Sequence, residues 1–118
     1  MLSGGIPNRV YLACGSTDMR KSIDGLAAMV SFTFKLDPFS DSLFVFCNRG
    51  RDKLKILYWD RNGFWLYYRR LENGRFRWPE VGEEATISIS RRELGWLLDG
   101  LALEQAHAHR EVLARKVA

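Results

Sequence analysis

Nine basic side chains crowd into one stretch: Arg49, Arg51, Lys53, Lys55, Arg61, Arg69, Arg70, Arg75 and Arg77. Only Asp52, Asp60 and Glu72 oppose them there, so Arg49 to Arg77 carries +6 while the whole chain carries +4. A local field of that sign attracts a polyanion and steers its approach. Flat rings are interleaved with the charges, and rings stack on unpaired bases. Side chains alternate faces along a strand. One assignment puts Leu54, Ile56, Phe64, Leu66, Phe76 and Trp78 against a helix. It leaves Lys53, Lys55, Trp65, Tyr67, Arg69, Arg75 and Arg77 on a water-facing surface that could hold nucleic acid. A slip of one residue in strand pairing would reverse the assignment. The plainer reading is a solvated sheet face whose rings cover their neighbours or meet a second chain.

Other chemistries find less support. Arg20 and Lys21 follow Thr17 and Asp18 at the start of a helical pattern, where a phosphate could bind. No glycine-rich phosphate loop accompanies them, so an ordinary basic first turn is the simpler reading. Ser16 and the histidines form no recognisable nucleophile and base. His107 and His109 could be a metal pair, but two adjacent ligands in what reads as a mobile tail are weak evidence, and a solvated polar tail is the simpler reading. Asp18, Asp24, Asp52, Asp60 and Glu93 include turn and cap positions, and do not read as a two-metal cluster. Cys14 and Cys47 lie in apolar segments outside any Cys-x-x-Cys pair, and read as buried reduced thiols. No cofactor and no catalytic residue is expected.

The elements that must position these residues can be traced along the chain. At 118 residues, 47% apolar and 27% charged, the chain suits one globular domain. No stretch approaches the ~20 apolar residues of a membrane span. With no secretory leader in Met1 to Pro7, the expected location is the cytoplasm. Residues 1–8 read as a loose lead-in. Arg9 to Ala13 suits a strand, and Gly15 breaks it. Ser16, Thr17 and Asp18 offer capping oxygens to a helix from about Met19 to Phe34, whose stripe is Ile23, Leu26, Ala27 and Val30. Asp37-Pro38 ends it. A meander follows: an apolar central strand from Leu43 to Cys47, then Lys53 to Trp59, Phe64 to Arg70, a short Arg75 to Trp78, and Thr86 to Ile89. Asn62-Gly63 supplies the residues that tolerate positive φ in one turn. Ser90 and Glu93 make a capping box for a second helix with the stripe Leu94, Leu97, Leu98 and Leu101. Residues 104–118 read as a helical extension or a tail. The fold class is therefore α+β: a mostly antiparallel meander of about five or six strands, one N-terminal helix packed on it, and a second helix near the C-terminus.

Several long motifs in order resemble one known family. Arg9-Val10-Tyr11-Leu12-Ala13-Cys14-Gly15, Thr17-Asp18-Met19-Arg20-Lys21 and Ile23-Asp24-Gly25-Leu26-Ala27 look like the start of the TnpB-type accessory protein of the insertion sequence 66 family. The likeness continues through Asp37-Pro38-Phe39-Ser40, Leu43-Phe44-Val45-Phe46, Lys53-Leu54-Lys55-Ile56-Leu57-Tyr58-Trp59-Asp60 and Gly63-Phe64. It closes with Leu66-Tyr67-Tyr68-Arg69-Arg70-Leu71-Glu72 and Gly74-Arg75-Phe76-Arg77-Trp78-Pro79. Members tend to follow the last helix with Gly-Ile-Asp-Trp, whereas this chain reads Gly100-Leu101-Ala102-Leu103. The resemblance implies a helper in transposition, encoded beside a separate, larger transposase, with no catalytic residues to carry over. It does not extend to the RNA-guided nucleases that share the TnpB label. Expected partners are DNA and the transposase or another element-encoded protein. The rival expectation is a module that docks to the transposase without touching DNA.

Overall fold

A computed structural model describes residue 7 and residues 9–100. Five strands, β1 (Arg9–Ala13), β2 (Ser42–Cys47), β3 (Lys53–Asp60), β4 (Gly63–Arg70) and β5 (Thr86–Ile89), form one sheet in the order β4-β3-β2-β1-β5. β2, β3 and β4 are successive antiparallel neighbours, as the meander reading expects. β1 is parallel to β2, and the chain between them carries helix α1 (Ile23–Ala28). β5 adds antiparallel to β1, and helix α2 (Arg91–Leu98) follows. The apolar run of β2 takes the central place, and all six of its residues are buried.

Both faces of the sheet are packed. On one, Ala13, Phe44, Phe46 and Leu57 meet Leu26 and Val30, with Phe64 and Leu66 at the margin. On the other, Val10, Leu12, Val45, Leu54, Ile56 and Tyr58 meet Leu94, Leu97, Phe76 and Trp78. This corrects the expectation of one packed and one open face. The strands are amphipathic at neither face in their middle, so alternation alone could not say which side water sees.

Local chemistry explains the element ends. Ser90 caps α2: its Oγ accepts from the Glu93 N–H at 3.0 Å, and a Glu93 carboxylate oxygen accepts from the Ser90 N–H at 3.0 Å. α1 is shorter than its pattern suggests. Its N-cap is Ser22, with no side-chain cap bond, and the Asp18 carboxylate accepts from Arg20. The Thr17 N–H donates to the Cys47 carbonyl at 2.8 Å, tying the segment to β2. After α1 the chain widens into a π-helical turn, Met29–Thr33, and Lys35 at φ 58 turns it out of helix before Asp37-Pro38 is reached.

Arg75 to Trp78 is not a strand. The segment crosses the α2 side of the sheet, with the Phe76 N–H on the Arg51 carbonyl at 2.7 Å and the Trp78 Nε1–H on the Ala13 carbonyl at 2.8 Å. Gly15 lets β1 turn under it. Its φ of +75 suits glycine, and a Cβ there would stand 2.4 Å from Val81 Cγ2. In the β3–β4 turn it is Arg61, at φ 56, that takes the left-handed conformation expected of Asn62-Gly63.

Candidate nucleic-acid interface

Register decides which basic residues share a surface. Asp60 pairs with Gly63 across a two-residue loop, so every β3–β4 pair joins an odd-numbered residue to an even-numbered one. Lys53 faces Arg70 and Lys55 faces Tyr68, whereas Leu54 faces Arg69, Ile56 faces Tyr67 and Tyr58 faces Trp65. Directly opposed residues share a face. Lys53 and Lys55 therefore lie on the α1 side, and Trp65, Tyr67 and Arg69 on the α2 side. The single surface expected from the sequence does not form: it is split into two clusters on opposite faces of one hairpin.

The α1-side cluster is largely engaged with itself. Lys55 Nζ donates to the Met19 carbonyl at 2.8 Å and to the Lys21 carbonyl at 2.9 Å, and stands 5.9 Å from the centre of the Tyr68 ring. Its ammonium thus fastens the segment before α1 to the sheet. Arg20 grips Asp18, with Nη2 to Oδ2 at 2.7 Å and Nε within 3.1 Å of both oxygens. Those hydrogen bonds hold the Asp18 carboxyl at about 2, below its ordinary 3.8. A shallow depression lies between Asp18, Met19, Arg20, Lys53, Lys55 and Tyr68. The sequence places Arg20 and Lys21 near the helix start; the fold brings Arg20 to the two lysines, with its charge already paired.

The α2-side cluster is more open. Trp65 and Tyr67 stack nearly parallel, with ring centres 6.1 Å apart and planes 16° off. Trp65 is 43% exposed and donates from Nε1 to Asp60 at 3.3 Å. The Tyr67 ring leans on the core, and its hydroxyl is buried with no partner among the described residues. That burial raises its pKa, with Asp60 adding to the effect. Arg69 comes next along the same face. It enters a groove with Arg75 and Arg77, bounded by Leu71, Asn73, Leu98 and Asp99. Phe76 and Trp78 are buried, which turns Arg75 and Arg77 to water even without a strand. Among the described residues these three arginines make no ion pair, unlike Arg20, Arg51 and Arg70, which pair with Asp18, Glu80 and Glu72. Among the described residues that line the groove, Asp99 is the one carboxylate.

No sequence signal points to Asn73, Leu98 or Asp99, because the groove exists only where the end of α2 meets the chain after β4. Among the described residues no cluster of three or more His, Cys, Asp or Glu could hold a metal ion. His107 and His109 lie outside the described residues. Burial pushes the Cys47 thiol up to about 11, and it also raises Cys14, with Glu84 adding to it. Both are free thiols. Among the described residues no helix is long and apolar enough to cross a membrane.

The model of the family described as IS66 Orf2 like protein matches residues 8–108, most of the chain. This protein belongs to the IS66 Orf2-like family. The uncharacterized protein y4hO of Sinorhizobium fredii (strain NBRC 101917 / NGR234) is 42% identical over 101 residues, covering 86% of this chain and 87% of that one. The uncharacterized protein y4jC of the same strain is 33% identical over 93 residues, 79% of each chain. No solved structure matches the chain. Membership in the IS66 Orf2-like family gives the protein an accessory role in transposition. The match spans β1 through α2, so both basic clusters lie within the family's own domain.

Proposed function

We propose that this transposition accessory protein binds nucleic acid through the α2 side of the β4 rim. Trp65 and Tyr67 provide the faces for bases; Arg69, Arg75 and Arg77 provide the charge for phosphates. The observation that carries the reading is continuity: a stacked, partly exposed ring pair leads along one strand face into a groove of three arginines without ion pairs among the described residues. Rings beside cations favour an exposed single strand over a closed duplex, because stacking needs unpaired bases. Lys53, Lys55, Arg20 and Lys21 fall outside this track, and serve at most a second contact on the other face.

The test is anisotropy of labelled single- and double-stranded oligonucleotides from the element's end. Single strand binds more tightly, and Trp65→Ala weakens it by about 1–3 kcal/mol, the range for loss of one stacking platform. Equal affinity for the two forms, or no loss in Trp65→Ala, overturns the single-strand reading.

A second reading, docking to the transposase, draws on Phe32 and Phe39, which are 73% and 57% exposed. Phe39 stands edge-on to Trp59 at 5.0 Å and beside Phe64 at 5.5 Å, forming an aromatic knob at the hairpin end. Copurification with the transposase that survives nuclease but is lost in Phe39→Ala favours that reading.

A further inference from the structure

The two sheet edges differ. β5 is only four residues long, and shortness is one way an edge avoids pairing with other chains. β4 is eight residues long, and no described element pairs with its outer side. Its first six residues, Gly63-Phe64-Trp65-Leu66-Tyr67-Tyr68, contain no charge and no proline. Alternate N–H and C=O groups along such an edge point outward unpaired, a ready template for another strand. Trp65 and Tyr68, two of the most exposed large side chains, sit on this strand, one on each face.

We propose that β4 pairs antiparallel with β4 of a second copy of this chain, giving a two-fold dimer with one continuous ten-stranded sheet. Charge selects the direction, and the run of rings suits a second copy. Arg69 and Arg70 stand together at one end of β4, so parallel addition of a second copy would align four guanidinium groups. Antiparallel addition moves them apart and sets them opposite Gly63 and Asn62, beside the Asp60–Arg61 pair of the hairpin end. A two-fold axis normal to the sheet keeps each residue on its own face, so odd positions meet odd and even meet even. With Leu66 on the axis, Trp65 lies across from Tyr67 of the partner strand and Phe64 across from Tyr68. Arg69 then lies across from Gly63. The strand thus matches itself in rings, and its two arginines are kept clear of the partner's. Pairing also closes the one long edge, so the assembly stops at two. The dimer would put both arginine grooves on the same sheet face, about 20 Å apart along the shared strands at ~3.4 Å per residue.

This does not rest on the nucleic-acid reading, and its test needs no nucleic acid. Sedimentation velocity of the full chain over a wide concentration range should move from 13.6 kDa to twice that mass. Amide exchange at high and low concentration should show added protection confined to β4. Tyr68→Lys, an edge lysine of the kind that blocks strand addition, should stay monomeric and folded, unfolding somewhat below the dilute parent because it faces Lys55. A monomer at every concentration overturns the proposal. So does a dimer whose added protection lies outside β4, or one that Tyr68→Lys leaves intact. Because exchange is read on the unaltered protein, a misfolded variant would not leave the question open.

Discussion

Replacing Arg69, Arg75 and Arg77 together with alanine tests the groove on a scale that can be worked out beforehand. The three are exposed and enter no ion pair among the described residues, so their loss removes charge without stranding a buried partner. If each neutralises one phosphate, each contributes about −0.7 to the slope of log affinity against log salt for a single strand. Together they account for about 2 units of slope. Between about 50 and 200 mM salt, that is roughly a 20-fold share of the parent's loss of affinity. The assay is oligonucleotide anisotropy at four or five salt concentrations for the parent, the triple variant and a Lys53→Ala/Lys55→Ala control. The triple variant should bind weakly at low salt and respond to salt with a slope shallower by about 2. The control lies on the other face and should keep the parent slope. A triple variant with the parent slope refutes the groove. A control that flattens the slope as much as the triple variant moves the contact to the α1 side, or around both sides of the hairpin.

Other outcomes follow from the packing and the ionisable groups. Trp78→Phe keeps the ring but leaves the Ala13 carbonyl without its indole donor, and should lower stability by about 1–3 kcal/mol in urea unfolding. Leu26→Ala empties the contact between α1 and the sheet, and should cost about 2–5 kcal/mol in the same measurement. Ser90→Ala removes half of the capping box and should cost about 1 kcal/mol, with the loss traceable to α2 by amide exchange. Asp18 has a lowered folded pKa, so its ion pair with Arg20 contributes fully above the unfolded value of 3.8 and is lost as pH falls toward about 2. A carboxyl titration by NMR should show that low midpoint, and Arg20→Ala should return it toward 3.8.

How much of this was legible in the sequence depended on the range of the signal. The α2 cap was readable because Ser90 and Glu93 are three residues apart and bond to each other. β2 could be placed at the centre because its apolar run is continuous. The start of α1 was misplaced because the Thr17 N–H bonds to Cys47, thirty residues away in the chain, and no local pattern announces that. Arg75 to Trp78 alternates like a strand because Phe76 and Trp78 are buried while their neighbours are not; a crossing segment over a core produces the same pattern. The division of the basic residues turned on one feature, the two-residue loop that makes Asp60 pair with Gly63. The loop was visible, but grouping residues by polarity instead of by register sent Lys53 and Lys55 to the wrong side.

That division also narrows where function can reside. A sheet covered on both faces has no open platform, so a partner can reach it only at the rim. Here the rim is β4. Its outer edge offers backbone groups, its α2 face offers the Trp65–Tyr67 stack leading to three arginines, and its α1 face offers Tyr68 beside Lys55. The two proposed contacts use different parts of this strand: strand pairing takes the edge, whereas phosphate binding takes side chains projecting from one face and the groove beyond it. The two are compatible, and they make a joint demand. If the edge pairs as proposed, Trp65 and Tyr67 of both copies lie together in the middle of the shared face with an arginine groove at each end, and a single strand long enough to reach both grooves should bind more tightly than one that fills only one. A Tyr68→Lys monomer keeps one groove and one ring pair, so it should lose that dependence on length while still binding the short strand.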